Sequence, residues 1–144
     1  MEHKHLIIRA EVQSPPTDQK FIEAWLVDLT KKINMNVAAG PVSSYVTKKG
    51  NEGLTATVLI ETSHIVIHVW DKMEPPLIQF DLYSCGEFSI QDVAECFYIF
   101  IPIKVEYKYL DRNNELIVVD EGRSYGGNRV IERLDHDRIQ WGTL

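Results

Sequence analysis

Gly53-Leu-Thr-Ala-Thr-Val-Leu-Ile-Glu-Thr-Ser-His-Ile-Val-Ile-His-Val-Trp70 reads as two strands folded back on each other. Residues alternate with a period of two on both sides of its centre, and β-branched side chains are dense, as a half-buried hairpin requires. With Thr62 and Ser63 as the centre of a two-residue turn, Glu61 stands opposite His64, Thr57 opposite His68 and Thr55 opposite Trp70. One face then carries Leu54, Ala56, Val58 and Ile60 against Ile65, Ile67 and Val69, an apolar set that needs a cover. The other face is polar and looks either to solvent or into a site.

Working outward, the alternation from His5 to Val12 predicts a first strand, which Pro15-Pro16 closes. Thr17 or Asp18 can cap a helix reaching about Ile33, because Phe21, Trp25, Leu29 and Ile33 recur on one face. Strands are expected from Val37 to Thr47, Leu54 to Glu61, Ile65 to Trp70 and Leu77 to Leu82, and their short connections make them antiparallel neighbours. Ser89 caps a second helix, with Asp92 in the capping-box position and Pro102 as its breaker. Two more strands follow, Ile103 to Tyr109 and Glu115 to Val119, around a turn at Asp111 to Asn114. The expected fold is α/β of the α+β type, an antiparallel sheet with two helices packed on one face. Beyond Asp120 the chain reads as a loop through Asn128 and a C-terminal tail to 144, where Asp135-His136-Asp137-Arg138 and Trp141 show no period.

The chain has 144 residues, 44% of them hydrophobic and 25% charged, a size at which one core is self-sustaining and a second would be crowded. A single domain over 1–144 is expected. The formal net charge of −6 and pI near 5.3 leave no basic excess, which argues against nucleic acid as a partner. The longest apolar run, Phe97 to Ile103, falls well short of the roughly 20 residues of a membrane span, and Met-Glu-His-Lys-His is no signal core. No membrane partner is expected, and a cytoplasmic location is. Cys85 and Cys96 form neither a disulfide framework nor a metal knuckle, so both are expected as free thiols.

Most single residues here have a plain structural reading. Serine is favoured in hairpin turns for local hydrogen bonding, so Ser63 alone marks only a turn. His64 and His68 alone are satisfied strand-face histidines, and Cys85 alone is a small filler, the role given wholly to Cys96 beside Phe97. Phe21, Trp25 and Leu29 are core, and Lys104, Glu106 and Lys108 a solvated strand face. His3 and His5 share a strand face, but two ligands make an incomplete metal set and a solvated strand edge accounts for them. No metal is expected. Tyr125-Gly-Gly-Asn128 lacks the following helix of a phosphate loop and reads as a turn.

Taken together, Thr62-Ser63-His64-Ile65-Val66-Ile67-His68-Val69-Trp70 followed by Leu82-Tyr83-Ser84-Cys85-Gly86-Glu87 resembles the prokaryotic S-adenosylmethionine decarboxylase proenzymes. Those carry Glu-Ser-His-(x)3-His-(x)-Trp and, after a further strand, Cys-Gly. The order of elements is similar too, so the resemblance covers roughly residues 4 to 110 and implies the sandwich fold of that family. It implies self-processing. The Ser63 hydroxyl would attack the preceding carbonyl, an ester would form, and elimination would leave a pyruvoyl group derived from Ser63, with cleavage between Thr62 and Ser63. His68 would be the base for elimination, Thr55 the hydroxyl that helps hold the ester, and Cys85 the donor of a proton to the substrate α-carbon. The pyruvoyl group would act as an electron sink during loss of carbon dioxide from a small-molecule substrate. Glu61 and Trp70 are the expected substrate-binding residues. The implied product is the aminopropyl donor for polyamine (spermidine) synthesis, and the implied assembly is a homodimer paired through its sheets.

This chain also departs from the family pattern. Thr62 stands where the family has glutamate, and Lys49 where it has a ring that stacks on adenine, with Tyr45 the nearest aromatic. Asp71-Lys72 replaces Pro-Glu, and Pro75-Pro76 lies in a lengthened loop. Three readings therefore stand side by side. They are decarboxylation of S-adenosylmethionine, the same pyruvoyl chemistry on another amino acid such as ornithine or arginine, and an unprocessed relative that binds a ligand or partner and catalyses nothing.

Overall fold

The computed structural model describes residues 2–125, 129–133 and 139–142. In chain order the elements are β1 (Lys4–Val12), α1 (Gln19–Lys32), β2 (Val37–Val46), β3 (Gly53–Ile60), β4 (Ser63–Trp70), β5 (Leu77–Ser84), α2 (Ile90–Cys96), a 3₁₀ turn (Tyr98–Phe100), β6 (Pro102–Asp111), β7 (Ile117–Tyr125) and β8 (Arg129–Arg133). All eight strands belong to one antiparallel sheet in the order β2-β3-β4-β5-β1-β6-β7-β8. Both helices cover one face, so the α+β expectation holds. Among the described residues no helix is long and apolar enough to cross a membrane.

Each helix starts where its cap sits. The Asp18 carboxylate accepts from Phe21 N at 2.8 Å, and Ser89 Oγ from Asp92 N at 3.3 Å, satisfying N–H groups that have no partner within the helix. The buried stripe of α1 is Ile22, Trp25, Leu26, Leu29 and Thr30, continued by the buried Ile33 at its C-cap, the spacing of one helix face. Phe21 is not core, as the sequence suggested, but 37% exposed, because that stripe is centred one position further round the helix. Trp25 meets Phe80 of β5 edge to face, touches Phe97 and Phe100 beyond α2, and donates its indole N–H to the Cys96 carbonyl at 2.8 Å. Trp141, without a discernible period in the sequence, completes this cluster against Phe97 and Tyr107. Burying each such ring stabilises the fold by about 2–3 kcal/mol.

Two expectations are corrected at the far side of the sheet. β1 is no solvated edge: the chain returns after α2 to lay β6 along its free side, so His5 lies within, and His3 just before, a strand paired on both flanks. Asp120 does not open a loop either, since β7 runs on to Tyr125 in register with β6. Its alternation was hidden because the inward positions, Asp120, Gly122 and Ser124, are small or polar instead of apolar. Asp120 Oδ2 accepts there from the Tyr107 hydroxyl at 3.2 Å. The segments holding Gly126 to Asn128 and Asp135 to Arg138 lie outside the described residues.

Candidate active site

The hairpin of β3 and β4 folds as expected by face but not by partner. Ile60 pairs with Ser63, Leu59 with His64, Thr57 with Val66 and Thr55 with His68. The turn is therefore Glu61-Thr62, with Thr62 in the left-handed region at φ 53°, and Ser63 is the first residue of β4. This corrects the pairings of Glu61 with His64, Thr57 with His68 and Thr55 with Trp70. Moving the turn centre by one residue moves the register by two, which leaves every side chain on its original face. Leu54, Ala56, Val58, Ile60, Ile65, Ile67 and Val69 are accordingly all buried under the helices.

Around the turn, three of the expected residues meet. Ser63 is 9% exposed, on the helix side of the sheet with Ile65 and Ile67. Its Oγ accepts a hydrogen bond from Cys85 N at 2.9 Å. Ser84, fully buried, accepts from Gly86 N at 2.9 Å and donates to Gly86 O at 2.7 Å, which turns the chain at the end of β5. That turn swings Cys85 over the Glu61-Thr62 tip, where its thiol contacts Thr62 Oγ1 and lies 3.6 Å from the Glu61 carbonyl oxygen. Hydrogen bonds from the Thr62 hydroxyl, and then from that of Ser63, favour the thiolate and hold the Cys85 thiol below its ordinary pKa. Burial has the opposite effect on Cys96, whose thiol is pushed up. Ser84 was missed in the sequence; its parity with the buried Leu82 was the available signal.

His68 and Thr55 lie elsewhere. They face each other directly across β3 and β4, and Thr55 Oγ1 hydrogen-bonds His68 Nδ1. Trp70 follows on the same face, its ring 6.2 Å from the imidazole and its indole N–H donated to Asn51 Oδ1 at 2.8 Å. A cavity of about 350 Å³ opens beside the pair, lined by Val42, Ser44, Thr57 and Val66 among others. Five residues of strand separate His68 from Ser63, roughly 16 Å, and their opposite parity points them to opposite faces. One chain therefore brings together Ser63, Cys85 and Glu61 at the tip and Thr55, His68 and Trp70 at the base, and does not join the two groups. Tyr45 is likewise committed, donating its hydroxyl to Asp71 at 2.9 Å.

Comparison with known proteins agrees with this hairpin. Residues 4–113 match the model of a family described as S-adenosylmethionine decarboxylase. The S-adenosylmethionine decarboxylase proenzyme of Pyrococcus horikoshii is 30% identical over 135 residues, 91% of each chain, and that of Pyrococcus abyssi 29% over 119 residues, 81% of each. The arginine decarboxylase proenzyme of Aeropyrum pernix is 27% identical over 108 residues, 72% of this chain and 77% of its own. With the matched region running from β1 to just past β6 and enclosing the whole Ser63 hairpin, the chain belongs to the S-adenosylmethionine decarboxylase family.

Proposed function

We propose that this protein is a pyruvoyl-dependent decarboxylase that splits its own chain between Thr62 and Ser63 and acts on S-adenosylmethionine. The observation that carries the reading is the junction of Ser63 Oγ with Cys85 N, 2.9 Å apart, at the tip of the family's hairpin. The residues present suit a pyruvoyl group made in place: the precursor hydroxyl is fixed by a backbone donor, and a thiol of lowered pKa stands beside it. When formed, that group supplies an electrophilic carbonyl that takes up the electrons released as carbon dioxide leaves. This chain's own residues do the rest. Cys85 delivers a proton, a task suited to a thiol more acidic than usual. Glu61 and Trp70 contact substrate, and the product feeds the aminopropyl transfers of polyamine synthesis.

His68 and Thr55 enter through a second copy. In a two-fold dimer each contact is reciprocal, so a copy laid across the open sheet face brings its His68 and Thr55 to the hairpin tip of the first, against the Thr62-Ser63 bond, and receives the same in return. Their distance from Ser63 within one chain favours this arrangement, as do Ile7, Val42 and Leu59, which stand on that face 41%, 61% and 51% exposed. Thr55 then steadies the ester, and His68 takes the proton lost in elimination.

Arginine is the second substrate reading, favoured by the Aeropyrum relative and by Lys49 where the family has its adenine-stacking ring. Intact-mass measurement of purified protein tests the processing: two fragments divided before Ser63 are expected, and a single full-length species in wild type and Ser63→Ala alike supports the unprocessed reading instead. Carbon dioxide release from S-adenosylmethionine, arginine and ornithine, each carboxyl-labelled, then separates the substrates.

A further inference from the structure

The incomplete pair seen in the sequence, His3 with His5, is replaced in the fold by a different set. β4, β5 and β1 lie side by side, and Tyr83 of β5 pairs with His64 on one flank and His5 on the other. Asp81, two residues back on the same face, reaches between the imidazoles. Its Oδ1 lies 2.5 Å from His5 Nε2 and 3.2 Å from His64 Nε2. One donor atom from each of the three half-buried residues falls within 4.8 Å of the others.

We propose that His5, His64 and Asp81 form a binding site for a divalent transition-metal ion of the Zn²⁺ class, its remaining position left to water. Two imidazole nitrogens and a carboxylate suit Zn²⁺, Co²⁺ or Ni²⁺, whereas Mg²⁺ and Ca²⁺ favour all-oxygen sets. Bonds of about 2.0–2.1 Å in a tetrahedron place neighbouring donor atoms roughly 3.3 Å apart. The separation of His64 from Asp81 already has that value. His5 must retreat from Asp81 by less than about 1 Å, which a small side-chain rotation supplies while the paired strands hold the backbone. All three ligands come from one chain, so the site does not depend on a second copy covering this face.

The same groups have a rival use as a hydrogen-bonded cluster. In that state His5 and His64 donate Nε2–H to Asp81, and Arg112 Nη1 donates to His5 Nδ1 at 3.1 Å. A metal on Nε2 of His5 moves the ring proton to Nδ1, where it would meet the guanidinium donor. Arg112 is exposed and its guanidinium already lies 4.5 Å over the Tyr83 ring, so it can withdraw from His5 without losing its support. Arg112 is therefore a competitor of the ion, and removing it should tighten binding.

The test uses untagged, chelator-treated full-length protein titrated with ZnCl₂ in a calorimeter, and with CoCl₂ while the visible ligand-field bands are followed. One ion per chain is expected. His5→Ala and His64→Gln should each weaken binding by about tenfold or more, the glutamine keeping a hydrogen-bond donor toward Asp81 but not the ligand. Arg112→Ala should bind at least as tightly as the wild type. Circular dichroism establishes that each variant is folded. Absence of binding, or binding equally tight in the His5→Ala/His64→Gln double variant, overturns the proposal, and weaker binding in Arg112→Ala overturns the competition. None of these readouts depends on cleavage before Ser63.

Discussion

The two cysteines of this chain differ in what surrounds them. The Cys85 thiol is lowered by the hydroxyls of Thr62 and Ser63, while burial raises that of Cys96, whose Sγ is turned to the Asp92 carbonyl at 3.4 Å. Only the thiolate is alkylated, so a lowered pKa brings reaction on at lower pH and a raised one delays it. In an iodoacetamide series on the His68→Ala chain, which stays uncleaved, followed by peptide mass spectrometry, Cys85 should label at lower pH than Cys96. Thr62→Ala removes the leading hydroxyl, so Cys85 labelling should move to higher pH, and Thr62→Ser should restore it; Cys96 reacting first would contradict the assignment. At this scale the sequence was partly legible. Ser63 and Cys85 stood out only through the family motif they resemble, but the contact of Thr62 with the thiol depends on which residues make the turn, and alternation says nothing about that.

Among the elements, faces were legible and partners were not. The apolar set of β3 and β4 is buried as its period requires, yet a shift of two residues in register satisfies the same pattern, so Thr55 was set opposite Trp70 when it meets His68. β7 was cut short at Val119 for a related reason, its further inward positions lacking the apolar side chains by which a strand is recognised. What pins the hairpin is partly backbone packing at its open end. A Cβ added to Gly53 would stand 1.6 Å from the Val69 carbonyl oxygen of β4. Neither backbone can yield there without parting the strands, so Gly53→Ala should cost about 3 kcal/mol and lower the melting temperature by roughly 10 °C. A scanning calorimetry trace superimposable on that of the wild type would show that the strands are held apart at this point after all.

For the whole molecule, the decisive question is how the tip and the base of one hairpin come to cooperate. The family resemblance implied a shared site for Ser63, His68 and Cys85, but a strand is extended, and residues near in number are here far in space and opposite in face. Reciprocity in a two-fold dimer gives a sharp way to test the alternative. Ser63→Ala leaves a chain that cannot be cleaved but still offers His68, and His68→Ala leaves a cleavable chain without its base. Each expressed alone should stay intact. Co-expressed, they form mixed dimers in which one of the paired sites combines the native Ser63 of one chain with the native His68 of the other. Cleavage should then appear in the His68→Ala chain and never in the Ser63→Ala chain, with roughly half of the cleavable chains processed if partners are drawn at random. Differently tagged copies on a gel distinguish the two. If the His68→Ala chain stays whole in the mixture, or is cleaved without its partner, the hairpin does not work across a dimer.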